Sequence, residues 1–126
     1  MQAAAQRYAM KTLVIINDPP YGTERAYNAL RLVHALLKKD PSMNVTVFLM
    51  ADAVLAAKAG QKTPEGFYNI ERMLKRVLAA KGTVLTCGTC MDARGLDEAT
   101  TIEGVQRSSM DQLAIATAVA DRVLVF

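Results

Sequence analysis

The chain has 126 residues, 52% of them apolar and 21% charged, with a formal net charge of +3. That length is one domain, able to bury roughly two-thirds of its unfolded surface without the help of a disulfide or a metal. No apolar stretch approaches the ~20 residues of a bilayer span, and Lys and Arg are scattered among acids instead of forming the basic patch that nucleic-acid binding requires.

Residues 1–10 open the chain as a polar, alanine-rich extension, and residues 11–126 form the domain. Leu13-Val14-Ile15-Ile16 is a short β-branched run and reads as a strand buried on both faces. Its four apolar residues before Asn17 fall short of the roughly 7–15 of a signal-peptide core, so no export signal is expected. Pro19-Pro20-Tyr21-Gly22 follows as a sharp loop, with Thr23 as the expected cap of a first helix. Ala26, Ala29, Leu30, Val33, Leu36 and Leu37 recur at helical spacing, and Asp40-Pro41 should stop the helix.

Val45-Thr46-Val47-Phe48-Leu49-Met50 is the second predicted strand. Asp52 is expected to cap a short helix through Ala57 that Gly60 closes, and residues 61–68 read as loop. Asn69 caps the next helix, with Ile70, Met73, Leu74, Val77 and Leu78 inward, Glu71, Arg72, Lys75 and Arg76 outward, and Gly82 at its end. Thr83 to Thr86 is a third strand. Residues 96–107 hold a short helical turn and a small extended piece near Val105. Ser108 with Asp111 resembles a capping box for a last helix whose buried side should include Met110, Leu113, Ala114 and Ala120. Val123-Leu124-Val125-Phe126 is the final strand.

Apolar strands alternating with helices predict a single α/β domain, a parallel sheet with helices on both faces. Ligands of such sheets gather beyond the carboxyl ends of the strands, where three loops converge: 19–23, 51–52 and 87–95. The high apolar share also leaves surface for subunit contacts.

Cys87 and Cys90 are the only cysteines, placed where the third strand runs into Gly88 and a glycine-containing turn. This places two sulfur atoms at an expected surface edge, where they either perform thiol chemistry, bind metal or fill space. Two cysteines make no disulfide framework, and with no export signal expected both thiols should be free in a reducing, cytoplasmic compartment. A catalytic thiol needs something to lower its pKa from about 8.5. Free amides of the turn would serve, with Arg94 close along the chain. A tetrahedral zinc site needs about four ligands, and the pair plus His34 falls short. His34 reads as a packed or boundary histidine. The Pro19–Pro20 loop lacks the successive N–H groups of a phosphate cradle, and no phosphate-binding glycine motif occurs. That loop instead offers a rigid wall of Pro20, Tyr21 and Gly22 beside the site, or is an ordinary tight turn. Arg72, Lys75, Arg76 and Lys81 read as a solvated helix face.

Taken in order, Pro20-Tyr21-Gly22-Thr23-Glu24, Phe48-Leu49-Met50-Ala51-Asp52-Ala53-Val54, Gly60-Gln61-Lys62, the block from Cys87 through Asp92-Ala93-Arg94-Gly95, and the ending Asp121-Arg122-Val123-Leu124-Val125-Phe126 resemble the DsrE/DsrF-like sulfur-relay family, nearest its YchN-like branch. The resemblance implies a flavodoxin-like three-layer fold without flavin or other cofactor, and a homohexamer built as a trimer of dimers. It also implies a persulfide on the cysteine eight residues before the glycine of an Arg-Gly pair. Counting back from Gly95 reaches Cys87. The expected function is therefore that of a sulfurtransferase-like carrier, taking sulfane sulfur on Cys87 from a donor and passing it to a partner. Gly88 would lie at the site wall, Arg94 would assist electrostatically and Cys90 would be a resolving thiol. A Cys87/Cys90 dithiol redox protein and a non-catalytic oligomeric binding module are the alternatives.

Overall fold

The β-branched runs at the start and end of the chain pair with one another in a computed structural model that describes residues 9–126. Residues 1–8 of the expected extension lie outside the described residues. Strands β1 (Lys11–Ile16), β2 (Asn44–Leu49), β3 (Thr83–Cys87), β4 (Gln106–Ser108) and β5 (Arg122–Val125) form one sheet in the order β4-β3-β2-β1-β5. All four ladders are parallel. As in the flavodoxin-like order 2-1-3-4-5, β1 lies one place from an edge; the edge strand beside it here is the last in sequence.

Helices α1 (Arg25–Lys39) and α2 (Ile70–Ala79) cover one face, and α3 (Gly88–Ala93) and α4 (Met110–Val119) cover the other. Strand alternation divides the core accordingly. Val14, Ile16, Val45, Val47, Leu49 and Val84 pack with Ala29, Leu30, Val33, Leu74 and Val77, whereas Leu13, Phe48 and Cys87 pack with Met91, Leu96 and Leu113.

Helix ends follow local chemistry, with some differences from the predicted caps. Asp40 before Pro41 is the C-cap of α1, and the Asn69 side chain accepts from the Arg72 amide at the start of α2. Glu24, not Thr23, takes the N-cap position of α1; the Thr23 hydroxyl accepts from the Arg25 amide at 3.4 Å. Ala51–Ala57 is a 3-10 helix without a side-chain cap, because Met50 holds the N-cap position and Asp52 falls inside the first turn, where Arg94 engages its carboxylate. Ser109, one residue beyond the predicted Ser108, caps α4 by accepting from the Gln112 amide.

Two burial expectations are also corrected. Glu71 is buried at 8% exposure, because its carboxylate accepts from the Gln61 amide at 2.7 Å and pairs with Lys75 at 3.0 Å. Helix α4 buries only Leu113, leaving Met110 and Ala114 exposed beside Ile115 and Val119. Its sequence is apolar nearly all round, so no stripe marks its inner side. Those residues, with Val123 and Val125 on the β5 edge, are the exposed apolar surface that the composition anticipated.

The turn closing α2 shows a glycine required by proximity. Lys81, not Gly82, adopts the left-handed conformation, with φ 67°. A Cβ on Gly82 would fall 2.6 Å from Val77 Cγ1 and 3.0 Å from the Val77 carbonyl oxygen. Gly82→Ala should therefore lower the unfolding free energy by about 1–3 kcal/mol, read as an earlier denaturant midpoint. An unchanged midpoint would mean that the turn relaxes freely.

Candidate functional site

The site forms where the sheet changes face. The connection leaving β2 runs to α2 on one side, and that leaving β3 enters α3 on the other. A crevice opens at the carboxyl ends of strands whose connections diverge in this way. Cys87 closes β3, where it is registered opposite Ser108, and is also the N-cap of α3, while Cys90 lies in the first turn of that helix. The predicted glycine turn is thus a direct strand-to-helix junction, and the three-residue spacing keeps both sulfurs on one side of it.

Each sulfur has its own set of donors. The Thr89 hydroxyl lies 3.3 Å from Cys87 Sγ. Burial pushes the Cys87 thiol up, but hydrogen bonds from the Cys90 thiol, the Thr89 hydroxyl and the amides of Cys90 and Thr89 outweigh it and bring Cys87 below an ordinary thiol. Cys90 moves the other way: burial and its bond to Cys87 push it up, against the Ala51 amide and the charge of Arg94. The Ala51 N–H donates to Cys90 Sγ at 3.3 Å from a left-handed backbone, φ 52°. That conformation is costly for a residue with a Cβ.

Exposure differs from the sequence expectation. Cys87 is 4% exposed, because it belongs to the apolar cluster of Leu13, Phe48 and Met91; Cys90 is half-buried and Thr89 exposed. The less accessible sulfur is therefore the more acidic one. Both thiols are free.

Arg94 Nε donates to Asp52 Oδ1 at 2.9 Å and its Nη1 to the Cys90 carbonyl at 3.1 Å, which ties α3 to the turn after β2 on the Cys90 side. On the Cys87 side the corresponding residue is Arg107 of β4. Its guanidinium binds both oxygens of Asp92, at 2.9 and 2.8 Å, and approaches Glu98 at 3.6 Å. Sequence reasoning passed over Arg107, Asp92 and Thr89. Arg107 follows a segment with no apolar period, and only the β3–β4 register, which sets it opposite Thr86, brings its guanidinium over Gly88, next in chain to Cys87.

Of the expected wall residues, Tyr21 is tied by its contacts to the entry of α2. Pro20 is buried. Gly22 has φ 98°, a conformation that glycine adopts freely. The Tyr21 hydroxyl donates to Gln61 Oε1 at 2.6 Å and accepts from the Ile70 amide at 3.0 Å, and its ring stacks on Tyr68. These contacts brace the entry to α2. Gly88, in contrast, adjoins Cys87 and is buried under Arg107. His34 Nε2 lies 2.9 Å from the Met73 carbonyl, and burial, aided by the charge of Arg76, lowers its pKa; it is a packing contact between α1 and α2. No helix among the described residues is long and apolar enough to cross a membrane.

A family model for the DsrE/DsrF-like family matches residues 10–126. Protein YchN of Escherichia coli K12 is 41% identical over 116 residues, covering 92% of this chain and 98% of that protein. Its crystal structure superimposes with a TM-score of 0.89 over 93% of this chain and 99% of that one. More distantly, sulfurtransferase TusD of Salmonella arizonae is 26% identical over 129 residues, covering 93% of this chain and the whole of that protein.

Proposed function

We propose, because this chain belongs to the DsrE/DsrF-like family, that Cys87 accepts sulfane sulfur as a persulfide and passes it to a partner. The observation that carries this reading is the Thr89 hydroxyl 3.3 Å from the Cys87 sulfur at the start of α3; with the Cys90 thiol and the amides of Thr89 and Cys90 it favours the ionised form. The thiolate, not the thiol, is the nucleophile.

In the proposed step the Cys87 thiolate attacks the outer sulfur of a donor persulfide. The new S–S bond forms as the donor's own breaks, and the electron pair leaves with the donor thiolate. No net oxidation occurs. An acceptor thiolate then repeats the attack on the outer sulfur and frees Cys87. Because Cys87 lies under the first turn of α3 beside the more exposed Thr89 and Cys90, sulfur enters and leaves across that turn. The donors and acceptors are proteins or small persulfides, and the free thiols suit the cytoplasm. Exposed Met110, Ile115, Val119 and Val125 support a homo-oligomer, with the hexameric trimer of dimers as its proposed form.

A second outcome is favoured by the contact between the two thiols. Cys90 can attack the inner sulfur of a Cys87 persulfide, forming a Cys87–Cys90 disulfide and releasing hydrosulfide. Incubation with a small persulfide, followed by intact-mass measurement, tests both readings. The wild type should gain the mass of one sulfur on Cys87; absence of any adduct in both the wild type and Cys90→Ser would remove the carrier reading. Cys90→Ser, whose hydroxyl can still donate to Cys87, should take up sulfur at a similar rate and should then keep it about three- to tenfold longer. Equal lifetimes in the two proteins would show that Cys90 does not resolve the persulfide.

A further inference from the structure

We propose that Arg107 is a positioning residue for Cys87: its guanidinium clamps the start of α3 onto β4 and places a positive charge beside the sulfur as the anion forms. The inference rests on the reading of Cys87 as the reacting thiol and adds the group that prepares it.

Arg107 is next in chain to Ser108, the register partner of Cys87, so its backbone lies one ladder step from the sulfur's own residue. From there the side chain crosses the strand-to-helix junction. A Cβ built on Gly88 would meet Arg107 Nε at 2.7 Å, Cζ at 2.8 Å and Nη2 at 2.9 Å. The guanidinium thus occupies the space that any side chain at residue 88 would need. Beyond the junction it meets Asp92 through two parallel hydrogen bonds, the geometry that gives an arginine–carboxylate pair its directional hold. One side chain thereby spans β4, the first residue of α3 and the fifth, fixing the turn whose amides face Cys87. Glu98 of the next 3-10 turn steadies the other edge of the fork at 3.6 Å.

The charged and titratable groups around Cys87 are few. They comprise Cys90 and Asp92 on α3, Arg107 on β4 and Glu98, the two acids being bound to Arg107 itself. Arg94 and Asp52 pair with each other on the Cys90 side. From β1, β2 and α4 the sulfur meets the apolar Leu13, Phe48 and Leu113. Since Asp92 offsets part of the cation's field, the effect on Cys87 falls below that of a bare opposite charge.

The test is the rate of iodoacetamide alkylation at Cys87, followed peptide by peptide from mildly acid to alkaline pH. Arg107→Gln should raise the midpoint of that profile by roughly half a unit to one unit. Below the midpoint this means about three- to tenfold less thiolate. Arg107→Lys, which keeps the charge and loses the fork, should fall between wild type and Arg107→Gln. Gly88→Ala should move the midpoint in the same direction by evicting the guanidinium, and since alanine favours helix over glycine, it reads the same quantity should Arg107→Gln fold poorly. A change in melting temperature or in the alkaline plateau with the midpoint unmoved would assign Arg107 a merely structural role and overturn the proposal. Absence of any sulfur adduct in both the wild type and Cys90→Ser would remove the carrier reading while leaving this titration intact. Normal sulfur uptake with an unmoved midpoint in Arg107→Gln and Gly88→Ala would do the reverse.

Discussion

Cys87→Ser should abolish sulfur uptake, slowing adduct formation from a small persulfide by about a hundredfold or more. The serine hydroxyl stays protonated near neutral pH and cannot perform the displacement, although Thr89 and the amides of the turn remain in place. Cys90 is a poor substitute: burial and its bond to Cys87 hold its thiol above the ordinary value, so little of it is thiolate at neutral pH. With Cys87 removed, that contribution disappears and Cys90 gains some reactivity, so the residual adduct should map to Cys90 and grow with rising pH. Serine also places a hydroxyl among Leu13, Phe48 and Met91, at a cost of about 1–2 kcal/mol. Cys87→Ala, which packs without that penalty, is therefore the companion variant. Loss of uptake in both, with cooperative melting retained, assigns the chemistry to the sulfur. An undiminished adduct in either would remove Cys87 from the role.

Much of this site was legible because its parts follow local rules. The runs at Leu13 and Val45 are strands whatever surrounds them, Asp40-Pro41 ends a helix by steric necessity, and two cysteines three residues apart at a strand end must lie close together. Membership of the DsrE/DsrF-like family and the parallel three-layer fold were likewise readable in advance. What sequence could not supply are relations between distant segments. Arg107 reaches Asp92 through the β3–β4 register, and nothing in the chain between them signals the pairing. The burial of Cys87 was misjudged because the residue still belongs to the ladder and packs among apolar neighbours. Helix α4 was misread because a helix apolar on every side carries no phase. In the homo-oligomer proposed above its exposed residues would face a second chain, which periodicity within one chain cannot encode.

Glu71 is the clearest case of a residue whose role reverses on folding, and Glu71→Ala should destabilise the protein by about 2–4 kcal/mol. On a helical wheel it belongs with the outward charges of α2. In the folded chain it is 8% exposed and receives the Gln61 amide at 2.7 Å. Lys75, 59% exposed at its side chain, contributes little by itself, since an ion pair open to water is worth at most about 1 kcal/mol. The main loss on truncation is that of amides in the 60–61 turn left without an acceptor. Gln61 in turn holds Tyr21 and the carbonyls of Ala56 and Lys58, so the damage spreads to the loops flanking the carboxyl edge of the sheet. The pH dependence fixes the cause. Burial raises the Glu71 carboxyl, but the Lys75 contact and the amides of Gln61 and Gly60 outweigh it, leaving a folded pKa below the ordinary glutamate value. A depressed folded pKa contributes stability that is complete above the unfolded value and is lost as pH falls through the folded one. The gap between wild type and Glu71→Ala in urea midpoint should therefore be widest at neutral pH and shrink in acid. Glu71→Gln, which keeps an acceptor oxygen without the charge, should lie between them and be flatter with pH. A gap of constant size from neutral to acid pH would show that the side chain acts through its shape and not through its ionised carboxylate.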